Sequence, residues 1–163
     1  MNDSQQVYHI GSAEKMESFA GRIAKVCYAQ PIILLLKGDL GAGKTTFARG
    51  FLRAAGYKGT VKSPTFSLLE TYDLMPYPIA HFDLYRLKSP AELEGLGWAD
   101  FFNGRQTCLI EWPEKAAEQL TVFDISCVFA VVEGGRTVQL EAHSQLGKEI
   151  LAKMAVEQEG DPI

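Results

Sequence analysis

Residues 38 to 46 read Gly-Asp-Leu-Gly-Ala-Gly-Lys-Thr-Thr. Gly38, Gly43, Lys44 and Thr45 fill every fixed position of the pattern G-x-x-x-x-G-K-[ST]. The residue types suit one chemistry. Glycines let a loop adopt positive φ and bring its backbone close to a ligand. Successive N–H groups of Asp39, Leu40, Gly41, Ala42 and Gly43 then point inward as an anion-binding nest. A helix opening at Lys44 aims its positive end at the same place. Lys44 is the cation for β- and γ-phosphates, the Thr45 hydroxyl is a ligand for Mg2+, and Thr46 is one residue further into the helix, placed to touch the phosphates. The expected ligand is ATP with Mg2+. A guanine-reading N-K-x-D string is absent from the sequence, so GTP is not expected.

Binding is not hydrolysis. Hydrolysis needs an acid near the metal and a group that orients a nucleophile. Two acids end strand-like runs, where open parallel sheets place their ligands. Glu111 follows Thr107-Cys108-Leu109-Ile110, the shape of a Walker B element with Glu in place of Asp, or of a surface acid that ends a strand. Asp83 lies in Ile79-Ala80-His81-Phe82-Asp83-Leu84-Tyr85. Alternation puts His81, Asp83 and Tyr85 on one face, which needs either water or a site. Trp112-Pro113 comes next after Glu111; the indole stacks on a base, covers the site or fills the core. Ser63-Pro64-Thr65 is a hydroxyl-bearing turn, either a switch-like loop or a capped turn.

These residues need a scaffold. The run Ile32–Leu36 after Pro31 predicts a strand buried on both faces, and the stretch from Lys44 to about Ala55 a helix closed by Gly56. An earlier helix begins after Gly11, with Ser12 as its cap. Strand-like runs occur at Phe66–Leu69, Ile79–Leu84, Thr107–Ile110, Ile125–Val132 and Thr137–Glu141. Ser89 to Phe102 predicts a helix, and Gly134-Gly135 a hairpin. The last helix spans about Ser144 to Val156. The expected fold is α/β: a three-layer, P-loop NTPase-like arrangement, its mixed and mostly parallel sheet carrying an antiparallel edge and flanking helices. Residues 1–156 are expected to form one domain and 157–163 a frayed tail.

The 163 residues, 47% of them hydrophobic, suit an ordinary soluble domain. A net charge of -4 exerts no global pull on nucleic acid. Three scattered cysteines with no C-x-x-C pair argue against disulfides and thiolate zinc. No secretory signal or membrane span is visible, and a cytoplasmic location is expected.

Four separated strings, GDLGAGKTTFARGF, VKSPTFSLLETY, HFDLYRL and EWPE, run in order from residue 38 to residue 114. Together they resemble the TsaE family, also called YjeE, of bacterial P-loop ATPases required for the threonylcarbamoyl modification of adenosine in tRNA anticodon loops. The resemblance implies that residues 38–46 hold ATP, that Thr45 and Glu111 ligate Mg2+, and that Asp83 serves hydrolysis. It places Trp112 near the nucleotide and makes Ser63-Pro64-Thr65 a mobile loop beside the γ-phosphate. Near the adenine the family usually has Thr and, four residues on, Gly. Met16 and Ala20 stand there in this chain, which leaves backbone atoms of Gly11 and Ser12 to contact the base. The family implies a TsaB–TsaD heterodimer as partner, reset by ATP hydrolysis, with tRNA met through the partners. Two alternatives stand beside it: a P-loop small-molecule kinase with Arg86 and Arg105 as lid cations, and a nucleotide-gated binding module with negligible hydrolysis.

Overall fold

A computed structural model describes residues 4–159. Its strands are β1 (Gln5–Ile10), β2 (Ile33–Lys37), β3 (Leu69–Tyr72), β4 (Ile79–Asp83), β5 (Thr107–Glu111), β6 (Ile125–Val132) and β7 (Gly135–Ala142). Its helices are α1 (Ala13–Val26), α2 (Lys44–Ala54), α3 (Ala91–Gly95) and α4 (Gln145–Glu159). The strands form one sheet in the order β1-β7-β6-β2-β5-β4-β3.

β2 sits at the centre because it is apolar on both faces. Leu34 and Leu36 enter one buried cluster and Leu35 the other. The strands β6, β2, β5 and β4 run parallel. The expected hairpin joins β6 to β7 antiparallel, with β1 outside it. A second antiparallel margin lies at the far side, where β3 pairs with β4. Phe19, Phe47, Phe51 and Leu151 bury α1, α2 and α4 against one face of the sheet. Leu93 of α3 and Trp98 pack with Phe82 on the other. Two helical layers around a sheet are the architecture expected.

α1 and α2 approach unusually closely. A methyl group added at Gly50 would lie 2.4 Å from the carbonyl oxygen of Glu17, so only glycine fits. Ser12 caps α1 as expected, its Oγ accepting from the Lys15 N–H at 3.2 Å. Gly56 follows α2 at φ +109°, a conformation that suits glycine.

Several elements differ from expectation. β1 lacks a clean sequence signal: Tyr8 and Ile10 are buried but Val7 is exposed, as on an edge strand. Ser89–Phe102 is not one helix. α3 stops at Gly95, Gly97 turns the chain at φ +71°, and a 3-10 turn over Trp98–Phe102 follows. Thr65–Ser67 is a turn, and Leu68 at φ +65° redirects the chain, so the strand starts at Leu69 rather than Phe66. α4 extends to Glu159, past the end expected at about Val156, and residues 160–163 of the expected tail lie outside the described residues. Among the described residues, no helix is long and apolar enough to cross a membrane.

Candidate functional site

The glycine-rich loop spans residues 38–43, between the end of β2 and the start of α2. Gly38, Gly41 and Gly43 hold φ of +152°, +79° and +112°. A Cβ at Gly38 would lie 2.6 Å from the Phe129 carbonyl oxygen, so the loop's base is packed tightly on β6. Gly43 offers α2 no side-chain cap, which leaves the first-turn N–H groups to an outside acceptor. Leu40 projects outward while Ala42 is buried beneath the loop.

Lys44 is nearly buried at the first position of α2. Its ammonium donates to the carbonyl oxygens of Gly38 and Asp39 and lies 3.8 Å from the centre of the Trp112 ring. Burial lowers its pKa, and the charges of Glu111, Glu114, Asp83 and Asp39 act in the opposite direction. Trp112 is half-buried, lines the cleft beside Lys44 and packs against the apolar cluster that holds Phe82. It holds a left-handed φ of +58° just before Pro113, a costly conformation for a bulky residue.

The two acids meet at the mouth of the loop. Asp83 and Glu111 are direct register partners on β4 and β5. The Thr45 hydroxyl donates to Glu111, 3.2 Å from Oε1. The imidazole Nε2 of His81 lies 2.6 Å from Glu111 Oε2. Asp83 accepts from the hydroxyls of Thr65 at 3.3 Å and Ser63 at 3.5 Å, and from the Tyr85 N–H at 3.1 Å. Of the face expected to carry His81, Asp83 and Tyr85, β4 supplies His81 and Asp83, with Phe82 in the apolar cluster opposite, and Tyr85 follows in a turn beside Trp112. His81 and Asp83 are both buried away from bulk water, whereas Tyr85 lies in the turn after β4 and is exposed.

A cleft of roughly 420 Å³ opens here, lined by Lys44, Thr45, Asp83, Tyr85, Glu111 and Trp112 among others. Arg86 also lines it and stacks on Phe66, 4.6 Å from the ring centre. Arg105 is exposed on a turn and lines no part of it. On the other side of the loop a smaller hollow of roughly 150 Å³ is formed by Gly11, Ser12, Met16, Thr46 and Arg136 among others. Gly41, Gly43 and Thr46 border both spaces. Gly11 and Ser12 are thus beside the loop, and Met16 reaches within 2.9 Å of where a Gly43 side chain would begin. Arg136, whose Nε donates to the Gly41 carbonyl at 3.3 Å, carries no signal in the sequence; it reaches the loop only through the β6–β7 hairpin.

The donor set fits the expected ligands. Turned glycines and a bare helix N-terminus make an anion cradle. A hydroxyl and carboxylates are hard oxygen donors of the kind Mg2+ takes, and Mg2+ commonly uses one or two such carboxylates together with phosphates. Among the described residues no cluster of three or more His, Cys, Asp or Glu forms a closed metal cage.

A parallel strand, a glycine loop and a helix opening with Lys-Thr, set in a sheet with helices on both faces, define a P-loop NTPase-like protein. Residues 10–138 match the family model described as "Threonylcarbamoyl adenosine biosynthesis protein TsaE". The tRNA threonylcarbamoyladenosine biosynthesis protein TsaE of Haemophilus influenzae is 44% identical over 83% of this chain and 86% of its own length. The Bacillus subtilis protein of the same name is 44% identical over 60% of this chain and 63% of its length. The crystal structure of Bacillus subtilis YdiB superposes with a TM-score of 0.80 at 28% identity, covering 94% of this chain and 96% of that one. The chain belongs to the TsaE family, whose members take part in tRNA threonylcarbamoyladenosine biosynthesis.

Proposed function

We propose that this protein binds ATP with Mg2+ in the loop from Gly38 to Thr45 and hydrolyses it as a partner in tRNA threonylcarbamoyladenosine formation. The observation that carries the reading is the Thr45 hydroxyl 3.2 Å from Glu111 at the start of α2, with Asp83 on the neighbouring strand. The triphosphate lies along Asp39 to Thr46, its N–H groups and Lys44 compensating the charge. The nucleoside occupies the hollow beside Gly11 and Ser12. Thr45 and Glu111 hold Mg2+, which when bound neutralises charge developing on the phosphate oxygens. Asp83 orients the attacking water, with Ser63 and Thr65 as its hydroxyl neighbours. The water oxygen bonds to the γ-phosphorus, the bond to the β–γ bridging oxygen breaks, and ADP and phosphate leave. Trp112 shields the phosphate side from solvent.

Residues 1–156 act as one unit in the cytoplasm. The partner is a TsaB–TsaD-type heterodimer, which hydrolysis resets between turnovers, and tRNA is met through that partner. The mildly acidic chain suits this division of labour. The test is ATP turnover by the purified protein with and without its own TsaB–TsaD heterodimer, together with tRNA modification by the mixture. Turnover that rises with the heterodimer and is coupled to modified tRNA is expected. ADP release that depends instead on a small-molecule acceptor, with a phosphorylated product, would make the protein a kinase. Nucleotide binding with no hydrolysis in either mixture would make it a gated binding module.

A further inference from the structure

His81 is wholly buried, yet its ring makes only one hydrogen bond among the described residues, from Nε2 to Oε2 of Glu111 at 2.6 Å. Nδ1 is buried without a partner there. A buried ring nitrogen left unpaired is a cost to folding that an apolar side chain would avoid. The residue is therefore poorly explained as core filling.

What the ring does hold is Glu111. The register pairs His81 with Leu109 and Asp83 with Glu111, so the two-residue period puts His81, Asp83 and Glu111 on the same face. Glu111 is a long side chain at the end of β5, with three torsions to fix. Its carboxylate takes two proton donors: His81 at Oε2, and the Thr45 hydroxyl, which lies 3.2 Å from Oε1 and 3.5 Å from Oε2. A carboxylate only accepts, so Nε2 is the donor, and the tautomer is set. With Oε2 pinned, Oε1 faces Thr45 and takes the hydroxyl proton. With its proton on Glu111, Thr45 Oγ1 keeps its lone pairs for a cation in the cleft that Thr45 lines.

We propose that His81 is a positioning residue that orients Glu111, and through it the Thr45 hydroxyl, for Mg2+ bound with nucleotide. The inference rests on the Mg–ATP reading of the site. Partners of this kind typically govern metal affinity by 10- to 100-fold (order of magnitude) when removed.

The experiment measures nucleotide affinity by equilibrium binding of a fluorescent ATP analogue, first in EDTA and then across a range of Mg2+. His81→Leu should bind the analogue in EDTA as the wild type does. Its Mg2+ requirement should rise by about 10- to 100-fold. His81→Gln, whose amide nitrogen reaches the position of Nε2, should restore most of the Mg2+ response. His81→Asn, whose amide is too short, should not, and this pair decides the matter if the Leu variant does not fold. A Mg2+ response in His81→Leu that overlays the wild type, or Gln and Asn variants that behave alike, would overturn the proposal. A wild type that shows no Mg2+ effect on nucleotide binding would overturn the reading of the site itself, and the role of His81 with it.

Discussion

Gly50→Ala tests whether the α1–α2 contact holds the nucleotide helix in place. The added methyl would lie 2.4 Å from the oxygen, 2.5 Å from the Cα and 2.8 Å from the carbonyl carbon of Glu17. All three atoms are backbone, so no rotamer change relieves the clash. Ordinary carbon contacts fall at roughly 3.5–4 Å, so the helices must part by about 1 Å. Overpacking of this kind costs about 1–3 kcal/mol, and a rigid backbone obstacle belongs at the upper end. Replacing glycine within a helix returns up to about 1 kcal/mol. The net loss is about 2 kcal/mol. At about 2–4 °C per kcal/mol for a chain of this size, the melting temperature should fall by about 4–8 °C. Lys44 and Thr45 start the displaced helix, so nucleotide affinity should weaken as well. Thermal unfolding followed by circular dichroism reads the first effect, with Gly95→Ala as the control, because a methyl there meets no atom within 4 Å. An unchanged or higher melting temperature for Gly50→Ala would refute the packing argument.

Lys44→Ala should abolish nucleotide-dependent function, because it removes the ammonium held at the Gly38 and Asp39 carbonyls inside the loop; tRNA modification retained by the variant in a reconstituted system would refute this. Glu111→Ala should keep ATP binding in the absence of Mg2+ but cut hydrolysis by about 100-fold, the scale of losing one electrostatic group; turnover at the wild-type rate would count against its role. Burial pushes the Cys27 and Cys108 thiols up to about 12, and Cys127 higher still. All three should resist a disulfide reagent in the native protein at pH 8 and react on denaturation, and fast native labelling would contradict their burial. The same shifts carry a pH sign: below ~8.5 the thiols are protonated in both states, and above it only the unfolded chain releases its protons. Stability should therefore decline from about pH 8.5 towards 12, and a denaturation midpoint that stays flat over that window would rule the effect out.

The loop was legible because its chemistry is local. Gly38 to Thr45 carry their spacing, their conformational needs and their helix within one short stretch. β2 was legible for a similar reason, since an aliphatic run at the centre of a sheet needs no partner to identify it. The elements at the margins were not. β1 buries only alternate side chains against β7, and its pattern makes sense only once that partner is known. The break at Gly97 and the corner at Leu68 are left-handed turns inside segments whose apolar content suggests continuity. In the site, the sequence separated His81, Asp83 and Glu111 into two runs of uncertain purpose. Their convergence depends on the parallel register of β4 with β5, which no single run encodes. Arg136 entered the loop's surroundings from a hairpin 95 residues away from Gly41.

The stacking of the Lys44 ammonium on Trp112 also gives the molecule an optical voice. A cation 3.8 Å from the ring centre perturbs the indole's excited state. An anion that draws that ammonium away should therefore change the emission of Trp112. The second indole, Trp98, is buried among Phe82 and Phe102, in the apolar cluster on which Trp112 also packs, and lines no part of the cleft beside the loop. Occupancy of the loop can thus be followed by intrinsic fluorescence, without a label, in the unmodified chain.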